Sequence, residues 1–137
     1  MRALLTVSAF GMAALLGGCA SLPQPCGPPA QTMASAELIF GRHIGDRSGV
    51  SEAAFARFVA TDITPRFPDG LTILDATGQW RDGARGILVR EPSKVVLISF
   101  PDDAAKRAGL GAIAEAYKTK FQQQSVLTSV RTACVSF

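Results

Sequence analysis

Apolar residues follow two periods along this chain, and the change from one to the other divides it into elements. Residues 37–42 (ELIFGR) form a short β-rich run that predicts a first strand, with Gly41, Gly45 and Gly49 punctuating the loop behind it. Ser51 reads as a helix N-cap with Glu52 in the first turn; Phe55, Phe58, Val59 and Ile63 then recur at helical spacing until Pro65 blocks continuation. Residues 71–74 open a second strand that runs on through Trp80 and Arg81. Asp82-Gly83 suits a two-residue type I′ turn, after which 87–100 returns as the partner strand. Pro92 has no N–H for a ladder, so it is expected at a bulge or on an unpaired side. Asp102 or Asp103 caps a second helix whose Leu110, Ile113, Ala114, Tyr117 and Phe121 share a face. Residues 126–137 form a final β-rich strand.

The order βαββαβ predicts an α+β, ferredoxin-like domain over 37–137. Its four-stranded antiparallel sheet carries two helices on one face, and the first and last strands pair at the centre. A chain of 137 residues has room for one such core.

The first 36 residues follow neither period. Arg2 precedes an uncharged apolar stretch, 3–16 (ALLTVSAFGMAALL), of the length of a secretory signal and too short to span a bilayer, which takes about 20 apolar residues. Leu16-Gly17-Gly18-Cys19 resembles the lipobox of bacterial lipoproteins. That resemblance implies a leader over 1–18, cleavage before Cys19, and acyl chains on Cys19 that hold the protein on the periplasmic face of a membrane. Ala20, where an Asp would retain the protein in the inner membrane, favours the outer one. Residues 19–36, with Pro23, Pro25, Pro28 and Pro29, read as a semi-extended tether. Removing Cys19 from three cysteines leaves Cys26 and Cys134, a pair in a compartment where disulfides persist. A bridge between them is the economical expectation, with free thiols or an intermolecular bridge as alternatives. Because the last strand of this topology lies beside the first, the pairing and the fold agree.

Charge narrows the functional classes. Lys and Arg exceed Asp and Glu by 14 to 11, the basic residues form no run, and only Trp80 and Tyr117 offer large polar aromatics. A nucleic-acid surface is therefore not expected. His43 is the single histidine and has no companion at metal-ligand spacing, so no metal site is expected. No nucleophile–base set or phosphate-binding glycine loop is present, and no cofactor is implied.

Several strings resemble a family of small bacterial proteins of unknown function, DUF3574: 37–42 (ELIFGR), 64–72 (TPRFPDGLT), 78–81 (GQWR), 90–95 (REPSKV), and Tyr117-Lys118 with 121–126 (FQQQSV). Pro92 departs from the pattern. The resemblance implies membership without an activity, so chemistry must be read from the residues.

The candidate ligand group is Arg42, Arg66, Asp75, Trp80, Arg81, Arg90 and Glu91, gathered around the central hairpin. Guanidinium groups recognise carboxylates or phosphates, and Trp80 offers a stacking face. With a two-residue turn at Asp82-Gly83, Asp75 falls opposite Arg90, a pairing that commonly just fixes a hairpin. Two classes follow. The first is a non-enzymatic envelope module that binds itself or another envelope protein through its sheet. The second is a small-molecule binder or enzyme using the arginine and carboxylate group. The first is the expectation, and an apolar open sheet face or a lined pocket would separate them.

Overall fold

The computed structural model describes residues 25–45 and 47–137, so the expected leader and the expected lipidation site at Cys19 lie outside the described residues. Strand β1 (Gln31–Gly41) shows strict alternation: Ala34, Ala36, Leu38 and Phe40 are fully buried, while Met33, Ser35, Glu37 and Ile39 are half-buried on the other face. It begins well ahead of the expected Glu37, inside the stretch read as tether. The sequence there, Gln-Thr-Met-Ala-Ser-Ala, has weak strand propensity of its own. Pairing supplies the strand, since Ala34 already aligns with Phe100 on one side and Gln31 with Val135 on the other.

A short hairpin follows, β2 (His43–Ile44) with β3 (Arg47–Ser48), whose Gly45 takes φ +63°, a conformation open to glycine without strain. Helix α1 (Glu52–Phe58) is capped as expected, the Ser51 hydroxyl accepting from the Ala54 N–H at 3.1 Å. It then widens into a π-turn, Val59–Ile63, closed by the Thr64 N–H donating to the Val59 carbonyl at 2.9 Å. The extra residue in that turn matters. Continued α-helical spacing from Phe58 would carry Asp62 inward; the wider turn buries Ile63 and keeps Asp62 half-buried at the rim, where Lys120 donates to it at 2.8 Å.

Strand β4 (Thr72–Asp82) pairs with β5 (Ile87–Phe100) without interruption from Thr72↔Leu97 to Asp82↔Ile87. The expected two-residue turn is corrected by this register: residues 83–86 form the loop. Asp82 organises it, its carboxylate accepting from the N–H groups of Ala84 (3.0 Å) and Arg85 (3.1 Å) and from Arg85 Nε (2.6 Å), with Gly86 at φ +67°. Pro92 causes no bulge. Its carbonyl accepts from the Arg42 N–H at 3.1 Å, and a residue's N and O share a strand edge, so its missing donor faces the end of β1 and not β4.

Asp103 is the cap of helix α2 (Ala104–Phe121), accepting from the Lys106 N–H at 2.7 Å. Strand β6 (Leu127–Val135) completes a sheet ordered β4-β5-β1-β6. This is the ferredoxin-like α+β arrangement. The first and last strands are neighbours as expected, but β6 is an edge and the central pair is β1 with β5. Both helices cover one face, where Phe40, Phe55, Phe58 and Tyr117 pack with ring centroids 4.7–6.4 Å apart. The Tyr117 hydroxyl donates to the Gly41 carbonyl at 2.8 Å, and burial pushes its pKa upward. Cys26, ahead of β1, forms a disulfide with Cys134, which sits in the β1–β6 ladder opposite Thr32.

Candidate functional site

Alternation along β4 and β5 divides the candidate residues between the two sheet faces. Trp80, Glu91 and Ser93 lie on the face away from the helices; Asp75, Arg81 and Arg90 lie on the other. Trp80 and Glu91 meet directly, the indole Nε1–H donating to Glu91 Oε1 at 2.9 Å. The second carboxylate oxygen accepts from the backbone N–H of His43 at 2.9 Å. Glu91 is thus held by two donors from different elements, one in β4 and one at the start of β2.

Two glycines make room for this arrangement. A Cβ on Gly41 would lie 2.7–2.8 Å from the Glu91 carboxyl atoms, and one on Gly78 would lie 2.7 Å from the buried Ser93 hydroxyl. Glycine inside a strand often marks such a close approach. The segment after α2 forms the opposite wall. Gln122 ends the helix in the left-handed region at φ 54°, and Gln123 reaches across to donate to the His43 carbonyl at 2.5 Å. His43 therefore links the Glu91 carboxylate on its N–H side to the glutamine segment on its carbonyl side.

Between these walls lies a cleft of about 440 Å³, bordered by Ile39 and Leu127 at its apolar end, by Trp80, Glu91 and Ser93 along its floor, and by Gln122, Gln123, Gln124 and Ser125 opposite. Arg85, positioned by Asp82, stands at its border. The volume falls within the range of small-molecule sites, about 300–1,000 Å³, and so does the mixture of apolar walls with few polar groups. Among the described residues no three His, Cys, Asp or Glu side chains converge on a metal-binding arrangement.

The rest of the candidate group is elsewhere. Asp75 pairs with Lys94 and not with Arg90, as the β4–β5 register requires. Lys94, nearly covered, also bonds Glu52 at 2.7 Å, and Arg42 binds Glu52 while its Nε donates to the Val50 carbonyl at 2.8 Å. The hydrogen bond from Lys94 is the first cause holding both the Glu52 and Asp75 carboxyls below their ordinary range, and those bonds raise the Lys94 pKa in return. This network ties α1 to the sheet. Arg90 donates to Gln79 at 2.8 Å, Arg66 donates to the Asp62 carbonyl at 2.6 Å in the helix layer, and Arg81 is exposed opposite Leu88. None of these four borders the cleft: Arg42, Arg66, Arg81 and Arg90 are all absent from its walls, and so is Asp75. Conversely, the sequence reading missed Gly41, Gly78, Ser93 and the glutamine segment. Paired in-strand glycines beside an acidic residue were the available signal.

Comparison with known proteins adds a family and a fold. A family described as "Protein of unknown function (DUF3574)" matches residues 35–137. No curated protein matches the chain in sequence. Among solved structures, a phage SAM lyase in complex with S-methyl-5′-thioadenosine superposes with a TM-score of 0.63 at 17% identity, over 85% of this chain and 97% of that one. The apo state of a phage SAM lyase gives 0.58 at 17% identity, over 77% and 90%. At such identity the likeness is one of fold.

Proposed function

This chain belongs to the DUF3574 family, and we propose that it is a small-molecule-binding protein whose site is the cleft around Glu91. The observation that carries this reading is the carboxylate itself, fixed by Trp80 Nε1 and the His43 N–H at 2.9 Å each inside a cleft of about 440 Å³. A carboxyl acceptor oriented in advance at a cleft floor costs little to organise on binding and favours a ligand bearing a cationic or hydrogen-bond-donating group. The Trp80 indole, partly exposed, adds a flat apolar face for a planar ligand. The glutamine segment supplies amides that donate and accept. The reading is the second of the two classes open from sequence, with its residues changed: one carboxylate and an indole take the place of the arginine group.

The phage enzyme of similar fold holds S-methyl-5′-thioadenosine, whose adenine base is planar and bears an exocyclic amine, and such a base suits an indole face beside a carboxylate. The lipobox at Cys19, outside the described residues, supports a setting at the periplasmic face of a membrane, where such a site would meet small molecules of the envelope.

Trp80 is the only tryptophan of the chain, so its fluorescence reports the site alone. Titration with S-methyl-5′-thioadenosine, adenosine and aromatic amines is expected to give saturable quenching with at least one of them. Glu91→Gln should weaken that binding about tenfold or more, the loss of one charge-assisted hydrogen bond. Absence of saturable change with every probe would remove the reading.

A further inference from the structure

We infer that the sheet face away from the helices is covered by a second copy of this chain. The face carries Ile39, Leu74, Val95, Leu97 and Leu127 in adjacent register positions, and Leu74, Leu97 and Leu127 are 48%, 38% and 57% exposed. One row, Leu74, Val95, Ile39 and Leu127, crosses all four strands, and Leu97 extends it on β5; such a contiguous apolar surface, unlike scattered surface leucines, marks an interface.

Its size and its charges select the occupant. Strands about 4.8 Å apart rising about 3.3 Å per residue give this face a footprint of about 600 Å² per copy, and two stacked copies would bury about 1,200 Å², enough for a specific dimer. Two opposite charges stand on the same face: Glu37 in β1 and Arg131 in β6, diagonal neighbours because Arg131 aligns with Ser35 and Ser129 with Glu37. Neither forms an ion pair among the described residues. In a two-fold contact whose axis passes between these two positions, Glu37 of one copy faces Arg131 of the other, and the pair forms twice. A self-complementary surface needs no foreign partner.

The inference stands apart from the ligand reading but bears on it. Ile39, Trp80, Glu91 and Leu127 border the cleft on this same face, so the second copy would roof its open side.

Sedimentation velocity of the full chain in mild detergent tests this. The expected particle contains two copies. Glu37→Arg should weaken association at least tenfold, and adding Arg131→Glu should restore it; Leu97→Asp, at an exposed position, should also give monomers with unchanged far-ultraviolet circular dichroism. A monomeric wild type, or dimers untouched by both Glu37→Arg and Leu97→Asp, overturns the inference. The Trp80 titration separates the two readings. Dimers that bind no probe leave this inference standing without the ligand site, and monomers that bind one do the reverse.

Discussion

A single methyl group at position 41 probes whether the Glu91 carboxylate is held where the cleft needs it. The Cβ of Gly41→Ala would fall 2.7–2.8 Å from three Glu91 carboxyl atoms, where ordinary contact begins near 3.4 Å. The backbone at Gly41 is paired with Ser93 of β5, and its carbonyl accepts from the Tyr117 hydroxyl, so the flexible Glu91 side chain yields first and swings away. In doing so it gives up its bonds to Trp80 Nε1 and the His43 N–H. Hydrogen bonds to a charged group contribute about 1.5–3 kcal/mol each, and water reaches this half-open site, so a combined loss of about 2–3 kcal/mol is expected. Against it, alanine gains about 0.5–1 kcal/mol over glycine inside a strand. The net cost of Gly41→Ala should therefore be about 1–2 kcal/mol in the wild type. In a Glu91→Ala background the obstacle is gone, and the same change should stabilise by about 0.5–1 kcal/mol. The sign reverses, with a coupling of about 2–3 kcal/mol between the two positions. Urea unfolding of the four proteins measures it. Equal effects of Gly41→Ala in both backgrounds would refute the account of Glu91 as the group that glycine 41 accommodates.

Three further outcomes are expected. Replacing Cys26 and Cys134 together by Ser opens a loop of 108 residues' separation; chain entropy sets the loss at up to about 4–5 kcal/mol, and a denaturant midpoint unchanged from the oxidised wild type would contradict it. Lys94 depresses the Glu52 and Asp75 carboxyls, so their contribution is full above the unfolded values of 4.5 and 3.8 and is lost as pH falls through the lower folded ones. Lys94, with its pKa raised, contributes below 10.5 and loses that contribution as pH rises past its folded value. Asp75→Asn with Glu52→Gln should flatten the acid limb of a midpoint-against-pH curve; a limb that superimposes on the wild type's would show the network to be idle. Finally, Cys19→Ser should move the protein from the membrane to the soluble fraction on cell fractionation, and full membrane retention would argue against lipid attachment there.

What local chemistry could determine, it did. Ser51 and an aspartate at 102 or 103 are caps because a short polar side chain before an apolar stripe satisfies free helix N–H groups, and both helices start there. The βαββαβ order and its apolar faces follow from periodicity, and the pairing of Cys26 with Cys134 agrees with that topology, which sets the last strand beside the first. Even the separation of Asp75 from Trp80 was available, since positions differing by an odd number in one strand face opposite ways. The loop error did not affect this: pairing Asp75 with Lys94 or with Arg90 preserves parity.

Only the tertiary structure decided the rest, because the deciding contacts join residues far apart in the chain. The first half of β1 is a strand through its neighbours and not through its own composition. The π-turn at Val59–Ile63 exists to turn Ile63 inward against a core assembled from other elements. The Glu91 carboxylate takes its second bond from a backbone N–H at His43, a donor every residue but proline possesses, so no side-chain pattern could announce it. The cleft is likewise a property of assembly: a glycine in β1, a glycine in β4, a glutamate in β5 and the segment after α2 converge only once the sheet order is set.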